Sequence, residues 1–126
     1  MLNKARPIAT VAVRDLDKAR SFYEAKLGLA PPADQSSETA FYEDASVQLL
    51  LYRSAENAGT NKATTVTWFV GENIAAVVKS LRENGVTFEN YDFPGAEKDG
   101  DIFIFGEIRN AWFKDPDGNI HSVVNG

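Results

Sequence analysis

The chain contains the same pattern twice. The run TVAVRDLDKARSFYEAKLGL lies over TWFVGENIAAVVKSLRENGV with Val13 on Val70 and Gly28 on Gly85. One extra residue around Gly71, Glu72 and Asn73 places Leu16 over Ile74. A period near half of 126 residues describes a duplicated module and not a solenoid, which needs three or more short repeats.

Both copies read alike. Residues 8–14 are rich in β-branched side chains and alternate small or polar residues with Val11 and Val13, a strand pattern. Asp15 can cap a following helix whose apolar stripe is Leu16, Ala19, Tyr23 and Leu27, and Gly28 ends it. Pro31 and Pro32 limit any strand beside them to a short or edge one. Residues 38–43 and 46–53 predict a hairpin about Asp44-Ala45, and residues 54–62, with Gly59 and Asn61, have linker composition. In the second copy, residues 64–70 predict a strand and Asn73 a helix cap. Ile74, Val77, Val78 and Leu81 form the stripe, and Gly85 is the stop. Residues 86–91, 102–105, 111–114 and 120–124 predict strands, with turns at Phe93-Pro94-Gly95 and Asp115-Pro116-Asp117-Gly118-Asn119.

Strand, helix and three strands, repeated, predict an α+β fold: two tandem βαβββ modules forming a curved mixed sheet with the helices outside. The expected organisation is a single domain over residues 1–126, with module one about 7–53, a linker over 54–62 and module two about 63–126. A ligand is expected in the concavity of the sheet.

Composition narrows the function. The net charge is -5 and the 13 basic residues are scattered, so a nucleic-acid surface, which needs clustered Lys and Arg, is not expected. There is no cysteine, which removes disulfide and thiolate chemistry together. No apolar leader or membrane-length stretch is present, so a soluble cytoplasmic protein is expected.

VAVRDLDKARSFYEAKLGL resembles the opening signature of the vicinal-oxygen-chelate superfamily, which groups glyoxalases, extradiol dioxygenases, fosfomycin resistance enzymes and bleomycin resistance proteins. AWFKDPDGNIHSVV resembles its terminal hairpin. AGTNKATTVTW, ENYDFPG and AWFKDPDGN are together similar to small bacterial glyoxalase-like proteins. The resemblance covers essentially the whole chain and implies a homodimer that pairs modules across its interface. In the metalloenzymes of that superfamily, His and Glu side chains near the start and end of each module hold a divalent cation, whose open positions accept adjacent substrate oxygens. The matching positions here are Ile8, Thr65 or Val66, Gln48 or Leu49, and Ser122. Aliphatic side chains cannot ligate a metal, and neutral Thr, Ser and Gln ligate poorly. No family-type metal and no cofactor are expected.

His121 is the only histidine. If Ser122 faces the cavity, strand alternation turns His121 away, and it reads as structural or solvated. Asp115 with Asp117, and Glu43 with Asp44, read as solvated turn residues, and Glu97, Asp99 and Asp101 as a solvated acidic loop. The aromatic residues Phe41, Tyr52, Trp68, Phe103, Phe105 and Trp112 fall on predicted strands, half of them expected to point inward. Rings with a polar handle suit a flat or amphipathic molecule. The candidate ligand-binding residues are Trp68, Trp112, Gln48, Tyr52, Phe103, Tyr91 and Ser122, with Tyr91 and Asp92 forming a rim; no catalytic residue is assigned. The favoured reading is a metal-free glyoxalase/bleomycin-resistance-like protein that binds a small organic molecule in the concave sheet or a dimer groove. The alternatives are a lyase or dioxygenase with an atypical site, and a dimeric accessory protein without a small ligand.

Overall fold

The computed structural model describes residues 1–126. β1 (Ala9–Val13) leads into α1 (Leu16–Ser21), which Asp15 caps by accepting the Lys18 N–H at 3.1 Å. The helix widens into a π-type turn over Phe22–Lys26 and ends at Gly28, where φ is +81°. After the prolines comes a two-residue edge strand, β2 (Asp34–Gln35), and then the hairpin of β3 (Thr39–Asp44) and β4 (Val47–Arg53). The second module runs through β5 (Thr64–Phe69), α2 (Ile74–Glu83), β6 (Glu97–Asp99), β7 (Ile102–Phe105), β8 (Ile108–Lys114) and β9 (Ile120–Val124).

The strands divide into two mixed sheets, one for each module, in the orders β1-β4-β3-β2 and β5-β9-β8-β7-β6. The repeat survives in the pairing, because the last strand of each module returns parallel beside its first. The architecture is the expected α+β arrangement of two modules.

Three local expectations are corrected. Asn73 makes no capping hydrogen bond; a 3-10 turn over Gly71–Asn73, with Gly71 at φ +68°, absorbs the extra residue of the second copy and feeds α2 directly. That helix forms regardless, since each fully buried stripe residue contributes about 1.5–3 kcal/mol against about 1 kcal/mol for a cap, and Ile74 and Val78 are both buried. Residues 86–91 form a single bridge, Phe88 with Phe113, in place of a strand. The alternation of Val86 and Phe88 there reports burial alone. The acidic segment is the strand instead: the turn closed by the Ala96 N–H on the Phe93 carbonyl at 3.1 Å folds Glu97–Asp99 onto β7. Its exposed charges suit an edge.

Each sheet has one covered face. Val11, Val13, Ala40, Tyr42, Leu49 and Leu51 point toward α1, while Val66, Ala111, Phe113 and Val123 share their core with Ile74 and Val78 of α2. The two cores merge through the π-type turn that continues α1, whose Phe22 ring lies 6.3 Å from Phe113 and whose Tyr23 ring lies 5.5 Å from His121.

The contrast between the two helix starts can be measured. Asp15→Ala should cost about 1 kcal/mol and Asn73→Ala no more than about 0.3 kcal/mol in urea denaturation. Equal losses at the two positions would contradict the difference in capping.

Candidate functional site

Strand alternation sends half the side chains of each sheet away from the helices. On the first sheet these are Thr10, Ala12, Phe41, Gln48, Leu50 and Tyr52, between the buried positions. On the second they are Thr67, Trp112 and Ser122 in one cross-strand row, followed by Val124, Asn110 and Phe103. In the observed register Leu49 and Val66 are core residues, whereas Gln48 lies on the open face. A β-bulge at Thr64–Val66 displaces Thr65 from regular pairing, so the partner of Ser122 is Thr67.

The open face of the second sheet carries a cluster of rings. Phe93, from the loop before β6, lies 5.1 Å from Phe103, 5.3 Å from Trp112, 5.4 Å from Phe105 and 6.0 Å from Tyr91. Tyr91 meets Trp112 edge-on at 5.7 Å, and Phe103 meets Trp112 at 5.7 Å. Phe93 and the Lys98 ammonium, 4.7 Å above the ring, cover Phe103, which is 1% exposed although it faces away from the helices. Beside the rings, the Ser122 hydroxyl donates to the Asn110 amide oxygen at 2.7 Å. Burial, and then the Glu89 carboxylate, raise the Tyr91 hydroxyl above its ordinary range, so it stays protonated.

Of the sequence-derived candidates, Trp112, Phe103, Tyr91 and Ser122 come together here. Gln48 and Tyr52 lie on the open face of the other sheet. Trp68 is on the covered side, in register with Val123, and does not join them. Phe93 is the member that strand alternation could not find, because it sits on a loop.

The metal positions do not suit a divalent cation. Ile8 has no donor atom, and the Ser122 hydroxyl is engaged by Asn110. The Gln48 amide, oriented by its partners, donates to the Pro7 carbonyl at 3.1 Å and accepts from Arg6 at 3.2 Å. The donor set is neutral, and no group of three His, Cys, Asp or Glu side chains converges anywhere in the chain.

On the covered side, His121 is wholly buried in a directional chain of hydrogen bonds. The Trp68 indole can only donate, and does so to Nδ1 of His121 at 2.9 Å. The neutral ring therefore carries its proton on Nε2 and donates it to the Tyr23 hydroxyl at 2.9 Å, which donates to Asp115 at 2.7 Å. Asp115 also accepts from the backbone N–H groups of Asp117 and Asn119, both at 2.9 Å, and from the Asn119 amide at 2.8 Å. Asp115 is thus buried structure, not the solvated turn residue its sequence context suggests: the turn folds back over the first module, where Tyr23 reaches it. Burial, and then Asp115, hold the Tyr23 phenol protonated.

Burial also lowers His121 from the ordinary 6.5 to about 4. Charging it would add a proton on Nδ1 against the Trp68 N–H, on a ring with no exposure to solvent. The unfolded chain thus takes up this proton first as pH falls. The associated stability is fully present above pH 6.5 and is lost as pH drops toward 4, reaching a deficit of roughly 3 kcal/mol. His121→Gln should remove this component, which guanidinium denaturation of both proteins at about pH 7.5 and about pH 4.5 would reveal. A stability gap between them that does not change with pH would refute the assignment.

Comparison with known proteins agrees with this fold. A model of the Glyoxalase/Bleomycin resistance protein/Dioxygenase superfamily matches residues 7–122. Among solved structures, a glyoxalase/bleomycin resistance protein from Catenulispora acidiphila is 23% identical with a TM-score of 0.72, over 96% of this chain and 97% of that one. A bleomycin-binding protein complexed with bleomycin is 14% identical with a TM-score of 0.73, over 98% and 99% of the two chains. The fosfomycin resistance protein FosX from Mesorhizobium loti is 13% identical with a TM-score of 0.68, over 98% and 92%. At these identities the likeness is one of fold. No curated protein matches the chain. With the repeated modules, their pairing and a family match over nearly the full length, the chain belongs to the Glyoxalase/Bleomycin resistance protein/Dioxygenase superfamily.

Proposed function

We propose that the protein binds a small, largely planar organic molecule, without a metal, against the open face of its second sheet. The observation that carries this reading is the ring surface of Tyr91, Phe93 and Trp112 over Phe103, on a sheet face where Ser122 offers a neutral hydroxyl, already bonded to Asn110, in place of a metal ligand. Stacked and edge-on rings grip a flat molecule by dispersion, and the Asn110 amide beside them supplies a polar contact. The net charge of -5 favours a cationic or neutral ligand over an anionic one. A relative of the same fold, the bleomycin-binding protein, was solved with bleomycin.

The binding unit we propose is a homodimer. Phe69, Phe93, Phe105 and Ile108 are 73%, 36%, 37% and 53% exposed, and all lie on the open side of the second sheet. Exposed apolar surface of this kind marks an interaction site, and we propose that the open face of another copy's first sheet covers it. No helix is long and apolar enough to cross a membrane, and the cytoplasm is the compartment we propose.

Isothermal titration with bleomycin and with planar cationic and neutral aromatic compounds tests the ligand reading. At least one compound should bind, Trp112→Ala should weaken it tenfold or more, about 1.4 kcal/mol, and a chelator should leave affinity unchanged. Binding that requires stoichiometric metal, or that ignores Trp112, would overturn the proposal. Sedimentation equilibrium tests the assembly: the parent chain should be a dimer and Phe69→Glu should shift it toward monomer.

A further inference from the structure

We infer a second binding site, on the covered side of the sheets and independent of the face proposed above, that takes a small uncharged apolar molecule of one or two aromatic rings. It is a cavity of about 230 Å³ between the end of α1, α2 and the strand β5, and every one of its nine lining residues is hydrophobic. Phe113 and Val123 form a buried floor. Leu29, Trp68, Val77 and Leu81 stand around a mouth where they are half-buried.

Size and chemistry define the occupant. An apolar cavity of about 150 Å³ stays dry and admits benzene, so this one has room for toluene up to a fused two-ring hydrocarbon. Among Leu, Val, Phe and Trp side chains the only polar atom is the indole nitrogen, and the Trp68 N–H is already donated to His121. A ligand finds no side-chain hydrogen-bond partner, and a polar group it carries is desolvated with little compensation. The half-buried mouth leaves apolar wall against water, which an apolar occupant would release. The walls come from both modules, since Val47 and Leu29 belong to the first and Val70, Val77 and Leu81 to the second. Trp68 thus has a place in ligand binding away from Trp112, on the opposite side of the sheet.

The test uses toluene as the probe and the full chain. There are two tryptophans, so Trp112→Phe leaves Trp68 as the only indole. Toluene should change Trp68 emission saturably and shift the methyl resonances of Leu29, Val77 and Leu81, leaving those of Ile108 on the open face in place. Phenol should bind at least tenfold more weakly. Val77→Phe, which fills the space, should weaken the toluene response at least tenfold; Leu81→Phe serves if that variant fails to fold. Shifts at Ile108 without shifts at Leu29, or an undiminished response in a folded filling variant, would overturn the inference. So would movement of the same cavity resonances with protein concentration alone, which would mark a second copy as the occupant.

Discussion

The turn Asp115–Asn119 holds the two halves of the molecule together. The sheets share no backbone ladder with each other, so their relative position rests on side chains, and many of those meet at this turn. Tyr23 brings its hydroxyl from α1 to Asp115. The Asn119 amide donates to the Ala12 carbonyl at 2.9 Å, and Arg14 donates to Asp117 from its backbone and its guanidinium. The supposed linker is drawn in as well: Ala58 is fully buried and the Gly59 N–H donates to the Asn119 side chain at 3.1 Å. A Cβ at Gly59 would stand 1.8 Å from the Asp117 carbonyl oxygen, and φ there is +69°, so only glycine fits.

A buried polar junction is stable only when every member is satisfied, and here the direction of each bond is determined. Trp68 can only donate and Asp115 accepts from four partners, so the proton positions on His121 and Tyr23 follow. Such a chain holds α1 against β9 in one orientation, and apolar contacts between Phe22 and Phe113 surround it. With the covered faces occupied in this way, the other faces have no partner within the chain. The aromatic surface is exposed for that reason, and the apolar cavity lies where residues of both modules meet beside α2.

Periodicity made most of the elements legible. The capped start of α1, its stop at Gly28, the stripe of α2 and the β3–β4 hairpin are local decisions, made by residues within one or two turns of each other. Asn73 misled because a capping residue acts only when the chain enters the helix extended, and the turn at Gly71 brings it in otherwise. Residues 86–91 misled because alternation records which side is buried, not whether a neighbour offers a ladder. Alternation put Trp112, Phe103 and Ser122 on strands as candidates, but only the register between those strands sets them on one face, and Phe93 joins them from a loop.

Sequence alone determined the duplicated module, its two helices and its principal strands, since these depend on local spacing and residue chemistry. Only the tertiary structure decided which face each strand turned to solvent, placed Trp68 and Trp112 on opposite sides, and made Asp115 a buried acceptor. Those outcomes depend on register and on contacts between residues as far apart as Tyr23 and His121. No local pattern encodes them, because each partner's position is set by the folding of the other module.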